Sequence, residues 1–260
     1  DAKTARDDLI FRFSIDCHNV WFALVQSIQL FLLSQYFPIY TSNVHIYKPK
    51  KDKPGCMIHR IAVPNLNTSE FSEDHCYRNV YEVNFKNNLL QNRRHPHDTC
   101  YLPVVNAFRH KLLQRIQPNV QEKNYICWMH RLETVPQAYT SMYGWHSMRI
   151  VKNQNRFWNK VLRITGFNGE VLNFSENPPS MQTQLKAASK CYLLVGMHGA
   201  GLNLAVAMRH PRVLELSRAH IANKNLQNLM RAINGTYHGF IGKIEEESIS
   251  HKILEIIRKT

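Results

Sequence analysis

Three glycines and a histidine set between two apolar stretches mark where this chain could do chemistry. Residues 191–197 read as a buried strand, His198-Gly199-Ala200-Gly201 as a turn, 202–208 as a helix and Val213-Leu214-Glu215-Leu216 as a second strand. Gly196, Gly199 and Gly201 permit a tight reversal and close approach of backbone to a ligand. The helix that follows offers unpaired N–H groups and the positive end of its dipole, so the unit suits an anion such as phosphate. In this reading the backbone of Gly199, Ala200 and Gly201 holds the anion, with His198 beside it.

Spacing removes several familiar phosphate and acyl chemistries. No Gly-Lys-Ser/Thr closes the loop, so it is not a Walker A site, and its glycine spacing differs from the dinucleotide fingerprint. A His-Gly-Ala-Gly run could form a hydrolase oxyanion loop, but the Gly-x-Ser-x-Gly elbow that such chemistry needs is absent from the sequence. The run His95-Pro96-His97-Asp98-Thr99-Cys100 lacks a second ligand cluster and reads as a polar loop, so no metal site is assigned. Six cysteines without any Cys-x-x-Cys spacing argue against structural zinc and leave isolated disulfides open, with their pairing illegible.

The elements that must position the turn follow from periodicity. Strands are expected at 9–13, 43–47 and 80–83, and helices at 20–34 and 104–116, which makes residues 1–118 an α/β lobe. The polar stretch 117–124, with its proline, reads as a linker. Residues 119–260 then form a second, Rossmann-like lobe: strand 125–129, helix 156–164, strand 170–174, helix 181–189, the glycine turn with its βαβ unit, and a C-terminal helix over 245–259. That last helix places Ile249, Ile253, Ile256 and Ile257 on one face behind three leading glutamates.

At 260 residues, 44% hydrophobic and 20% charged, the chain has the composition of a globular protein, not a disordered one. Its formal net charge of +14 favours anionic partners, among them nucleotide sugars, sulfated glycans, acidic membranes and nucleic acid. No nucleic-acid motif accompanies that charge, and the apolar stretch 20–36 is too broken by glutamine and serine for a membrane span. The polar opening Asp1-Ala2-Lys3-Thr4 is not a signal peptide. Three sequons, Asn67-Thr68-Ser69, Asn173-Phe174-Ser175 and Asn234-Gly235-Thr236, lean toward the lumen of the secretory pathway, endoplasmic reticulum or Golgi.

Residues 184–195, the run Gly-Met-His-Gly-Ala-Gly-Leu and the strand Val-Leu-Glu-Leu together resemble the C-terminal half of glycosyltransferase family 61, with its EGF-domain O-GlcNAc transferase branch nearest in pattern. Fainter likeness extends upstream through 106–116, 125–131, 149–153 and 18–22. The resemblance implies a GT-B fold of two Rossmann-like lobes, the N-terminal one trimmed because the chain is short for that architecture. It implies inverting transfer of a sugar, with N-acetylglucosamine the first choice and xylose the second, from a UDP-sugar to a protein or glycan hydroxyl, with no obligatory cofactor. Arg131 would then bind the leaving phosphate, Arg149 would be a second phosphate ligand, and Glu215 would bond the ribose hydroxyls. Where family members carry a histidine or aspartate that could act as general base, this chain has Phe22, Val25 and Gln26. Asp16 and His18 are the nearest substitutes, which leaves room for a chain that binds donor but turns over poorly. The alternative from a different class is a non-catalytic basic module for anionic glycans or nucleic acid, whose binding would weaken steeply with salt.

Overall fold

The computed structural model describes residues 9–11, 20–36, 44–46, 68–70, 102–116, 124–132, 150–175, 178–218 and 224–259. The chain divides into two compact units, Asp1–Arg115 and Ile116–Thr260. The first holds a small parallel sheet of β1 (Leu9–Phe11), β2 (Val44–Ile46) and β3 (Thr68–Glu70), in that order. Helix α1 (Val20–Tyr36) is buried nearly all round over residues 24–31, among them Leu24, Ile28 and Phe31, and Phe31 meets Phe108 of α2 (Leu102–Ile116) edge-on at 5.8 Å between ring centres. The strand expected at 80–83 lies outside the described residues.

The second unit is a five-stranded, wholly parallel sheet in the order β5-β4-β6-β7-β8. Its strands are β4 (Tyr125–Met129), β5 (Asn168–Leu172), β6 (Leu193–Met197), β7 (Arg212–Ser217) and β8 (Thr236–Ile241). The three central strands, β4, β6 and β7, are near-continuous apolar runs because both faces of a parallel sheet are covered. Helices α3 (Gln154–Thr165), α4 (Met181–Ser189) and α5 (Asn225–Ala232) make the crossovers that parallel pairing requires. α3 buries Gln154, Phe157, Trp158, Val161 and Thr165 on one stripe, and Gly166 ends it in the left-handed region with φ 71°. The C-terminal helix α6 (Glu246–Arg258) buries the four isoleucines expected of it and packs on α3.

Two local expectations are corrected. The strand expected at 170–174 is two residues early, since Asn168 and Gly169 already pair with Tyr125 and Ile126. The segment after the glycine turn is a 3₁₀ helix, Ala200–Ala207, instead of an α-helix over 202–208. Six of its eight residues, Leu202 to Ala207, are buried, all apolar but Asn203, and the segment packs against the sheet and α4.

Strand order decides where a ligand can sit. The chain enters at β4, moves outward to β5, then returns past β4 to begin β6 on its other side and continues to β7 and β8. The direction of winding therefore reverses between β4 and β6. At such a switch point the flanking loops part, and open α/β sheets bind ligands just outside the carboxyl ends of those two strands.

Candidate functional site

β4 ends at Met129 and delivers His130-Arg131; β6 ends at Met197 and delivers His198-Gly199. The two loops are joined directly, because Arg131 Nη1 donates to the carbonyl oxygen of His198 at 2.6 Å. The sheet thus brings together an arginine and a glycine turn that lie 67 residues apart in sequence.

The glycines work here by giving room. Gly199 has φ 167°, an extended backbone open to any residue, so no left-handed turn is needed. A Cβ on Gly199, however, would lie 2.9 Å from the guanidinium carbon of Arg131. Gly196 and Gly201 similarly leave space for Met129, whose side chain would stand 2.9 and 3.0 Å from their added Cβ atoms. The expected tight reversal is therefore corrected to a close approach of two loops. Asn203, 4% exposed, donates from Nδ2 to the carbonyl of Ala200 at 2.8 Å and holds the first winding of the 3₁₀ segment.

Arg131 is fixed from behind by a residue that the motif reading did not single out. Gln154, the first residue of α3 and 2% exposed, accepts from the Arg131 N–H at 3.1 Å and from the Trp128 indole at 2.9 Å, and donates to the Arg131 carbonyl at 2.5 Å. Two donors facing Oε1 and one acceptor facing Nε2 fix which way the amide points. The guanidinium itself is largely buried, and that burial works against its charge. A buried cation of this kind gains most from an anionic partner. Asn153 precedes α3 with φ 51°, a left-handed residue at the helix entry. His130, Asn153, Gln154, Asn155 and Arg156 line a polar cleft of about 370 Å³ beside this arginine.

On the other side of the turn lies a chain of hydrogen bonds. His198 Nδ1 is 2.6 Å from Glu215 Oε1, and Glu215 Oε2 accepts from the Tyr237 hydroxyl at 2.7 Å. Glu215 is 1% exposed while the His198 side chain keeps 15%. The ribose contact expected of Glu215 differs from this geometry, since the carboxylate stands behind the imidazole with both oxygens engaged. Burial, then the Glu215 charge, pushes the Tyr237 phenol well above its ordinary range, so it serves as a hydrogen-bond donor. Of the other sequence candidates, Asp16, His18 and Arg149 lie outside the described residues.

Beneath the site, Cys127 of β4 and Cys191, two residues before β6, form a disulfide with Cα atoms 5.7 Å apart. It ties together the two strands that carry Arg131 and His198.

An α/β unit with a parallel sheet, an arginine at the end of one strand and a glycine-rich turn at the end of its neighbour fits the α/β fold of a glycosyltransferase. The sequence matches glycosyltransferase 61 over residues 13–214, most of the chain, and the protein belongs to that family of glycosyltransferases. No curated protein matches the chain. A glycosyltransferase binds a nucleotide sugar and an acceptor, and the turn and Arg131 both lie inside the matched segment.

Proposed function

We propose that this chain is an inverting GT-B glycosyltransferase that uses a UDP-sugar, UDP-N-acetylglucosamine first among them, and transfers the sugar to a hydroxyl of a protein or glycan. The observation that carries the reading is the bond from Arg131 to the His198 carbonyl across the switch point. It sets a largely buried cation beside the backbone of Gly199, Ala200 and Gly201, where a diphosphate would be met by fixed charge and fixed dipoles. As the glycosidic bond breaks, negative charge grows on the departing diphosphate, and a preorganised arginine there lowers the barrier without reorganising. Because the same groups supply this stabilisation, no obligatory metal is proposed. The polar cleft lined by Arg156 and by Gln154, which bonds to Arg131, is where we assign the remainder of the donor. The buried Cys127–Cys191 disulfide and the exposed asparagines of two sequons, Asn173 and Asn234, support a lumenal, oxidising compartment.

Turnover tests this reading. With radiolabelled UDP-sugars and the purified chain, Arg131→Ala is expected to lower hydrolysis or transfer by about a hundredfold, the scale of losing one transition-state donor. Equal activity in the two proteins would contradict it.

A further inference from the structure

We infer that Tyr237 is a positioning residue for the transfer reaction, acting through Glu215 on His198. The inference rests on the proposed donor site but adds Glu215 and Tyr237, which lie beyond the matched family segment ending at residue 214. Tyr237 pairs with Val213 in the β7–β8 register, so its side chain leaves the sheet on the same face as Val213 and Glu215. Gly239 stands directly opposite Glu215 in that register. A Cβ there would stand 3.4 Å from the Tyr237 hydroxyl, so the phenol lies over the glycine on its way to the carboxylate.

The chemical consequence concerns one proton. Glu215 is almost fully buried, and its Oε2 is an acceptor because Tyr237 donates to it. With the carboxylate accepting on both oxygens, Nδ1 of His198 is assigned as the donor in their 2.6 Å bond. The neutral ring then has Nε2 as its acceptor, and the charged ring has Nε2–H as a second donor. In either state the ring's orientation is set from behind, and in the neutral state its tautomer as well, as an outer partner does for a functional histidine. Removing the phenol hydroxyl leaves Oε2 buried without its donor. The carboxylate is then free to turn, and His198 loses its single tautomer.

The experiment is imidazole ¹⁵N NMR on the full chain with labelled histidine, at a pH where His198 is neutral, with His198→Gln used to assign the signal. Wild type is expected to show the Nδ1–H tautomer alone, and Tyr237→Phe and Glu215→Gln a mixture. An Nε2–H ring in wild type, or an unchanged tautomer in Tyr237→Phe, overturns the inference. Thermal melts of both variants establish that they are folded, and both substitutions preserve shape. In turnover assays Tyr237→Phe is expected to lower kcat about tenfold, with KM within about twofold, the loss typical of removing an outer partner. A raised KM with unchanged kcat would speak for a merely structural tyrosine. The tautomer is read without substrate. If His198 behaves as expected while no UDP-sugar is used, the donor reading fails, and what stands is that Tyr237 orients His198 through Glu215.

Discussion

Arg131 is held at three points, its own N–H and carbonyl by Gln154 and its guanidinium by the His198 carbonyl, so the side chain arrives at the switch point already aimed. Gly199 is what allows that aim, and this gives the sharpest test at the residue scale. Gly199→Ala brings a methyl to 2.9 Å from the guanidinium, the mobile end of a long side chain, so the arginine moves and the backbone, already extended, does not. The expected result is UDP affinity lowered by about tenfold or more, from losing a charge-assisted hydrogen bond of about 1.5–3 kcal/mol, with the melting temperature nearly unchanged. Isothermal titration and a thermal melt of the same preparation check both halves. Residues of this kind were unevenly legible. His198, the glycines and Arg131 stand beside recognisable strand ends, whereas Gln154 and Tyr237 become partners of the site only through pairing and packing across 23 and 22 residues of chain.

Among the elements, the long apolar strands and the striped helices were readable because period and burial coincide in them. The central strand Tyr125–Met129 and the helix Met181–Ser189 have the bounds expected, and Ser180 caps the latter by accepting from the Thr183 N–H. The edge strand Thr236–Ile241 was not readable: polar residues, histidine and glycine interrupt it, and only its parallel pairing with β7 makes it a strand. That strand carries His238, whose Nε2 is buried without a hydrogen-bond partner among the described residues. Burial first, then the charges of Lys252 and Lys259, outweigh Glu255 and hold this imidazole below its ordinary value of 6.5. The folded state therefore binds fewer protons than the unfolded chain between the lowered value and 6.5. The stability that this group confers is complete above 6.5 and is lost as the pH falls through that window. Urea unfolding above and below pH 6.5 is expected to show a smaller acid-induced loss in His238→Gln than in wild type; identical losses would remove His238 from the account.

For the whole molecule, the family and its chemistry were legible from one short segment, residues 184–216, while the disulfide was not. Six cysteines permit many pairings, and only the adjacency of β4 and β6 selects Cys127 with Cys191. A bridge closing 64 residues restricts the unfolded chain by about 4 kcal/mol, so Cys191→Ala is expected to lower unfolding free energy by that order in urea titration. Both sulfurs belong to fully buried residues, so mild reductant should act slowly on the native protein. The central claim is that the crevice between the ends of β4 and β6 is a nucleoside diphosphate seat, and thermal denaturation with and without UDP tests it most directly. Binding to the native state alone stabilises by about 2.7 kcal/mol at a hundredfold excess over Kd. The expected result is a UDP-dependent rise in melting temperature for wild type that is largely lost in Arg131→Ala, and no rise in wild type, or the same rise in both proteins, would contradict the account.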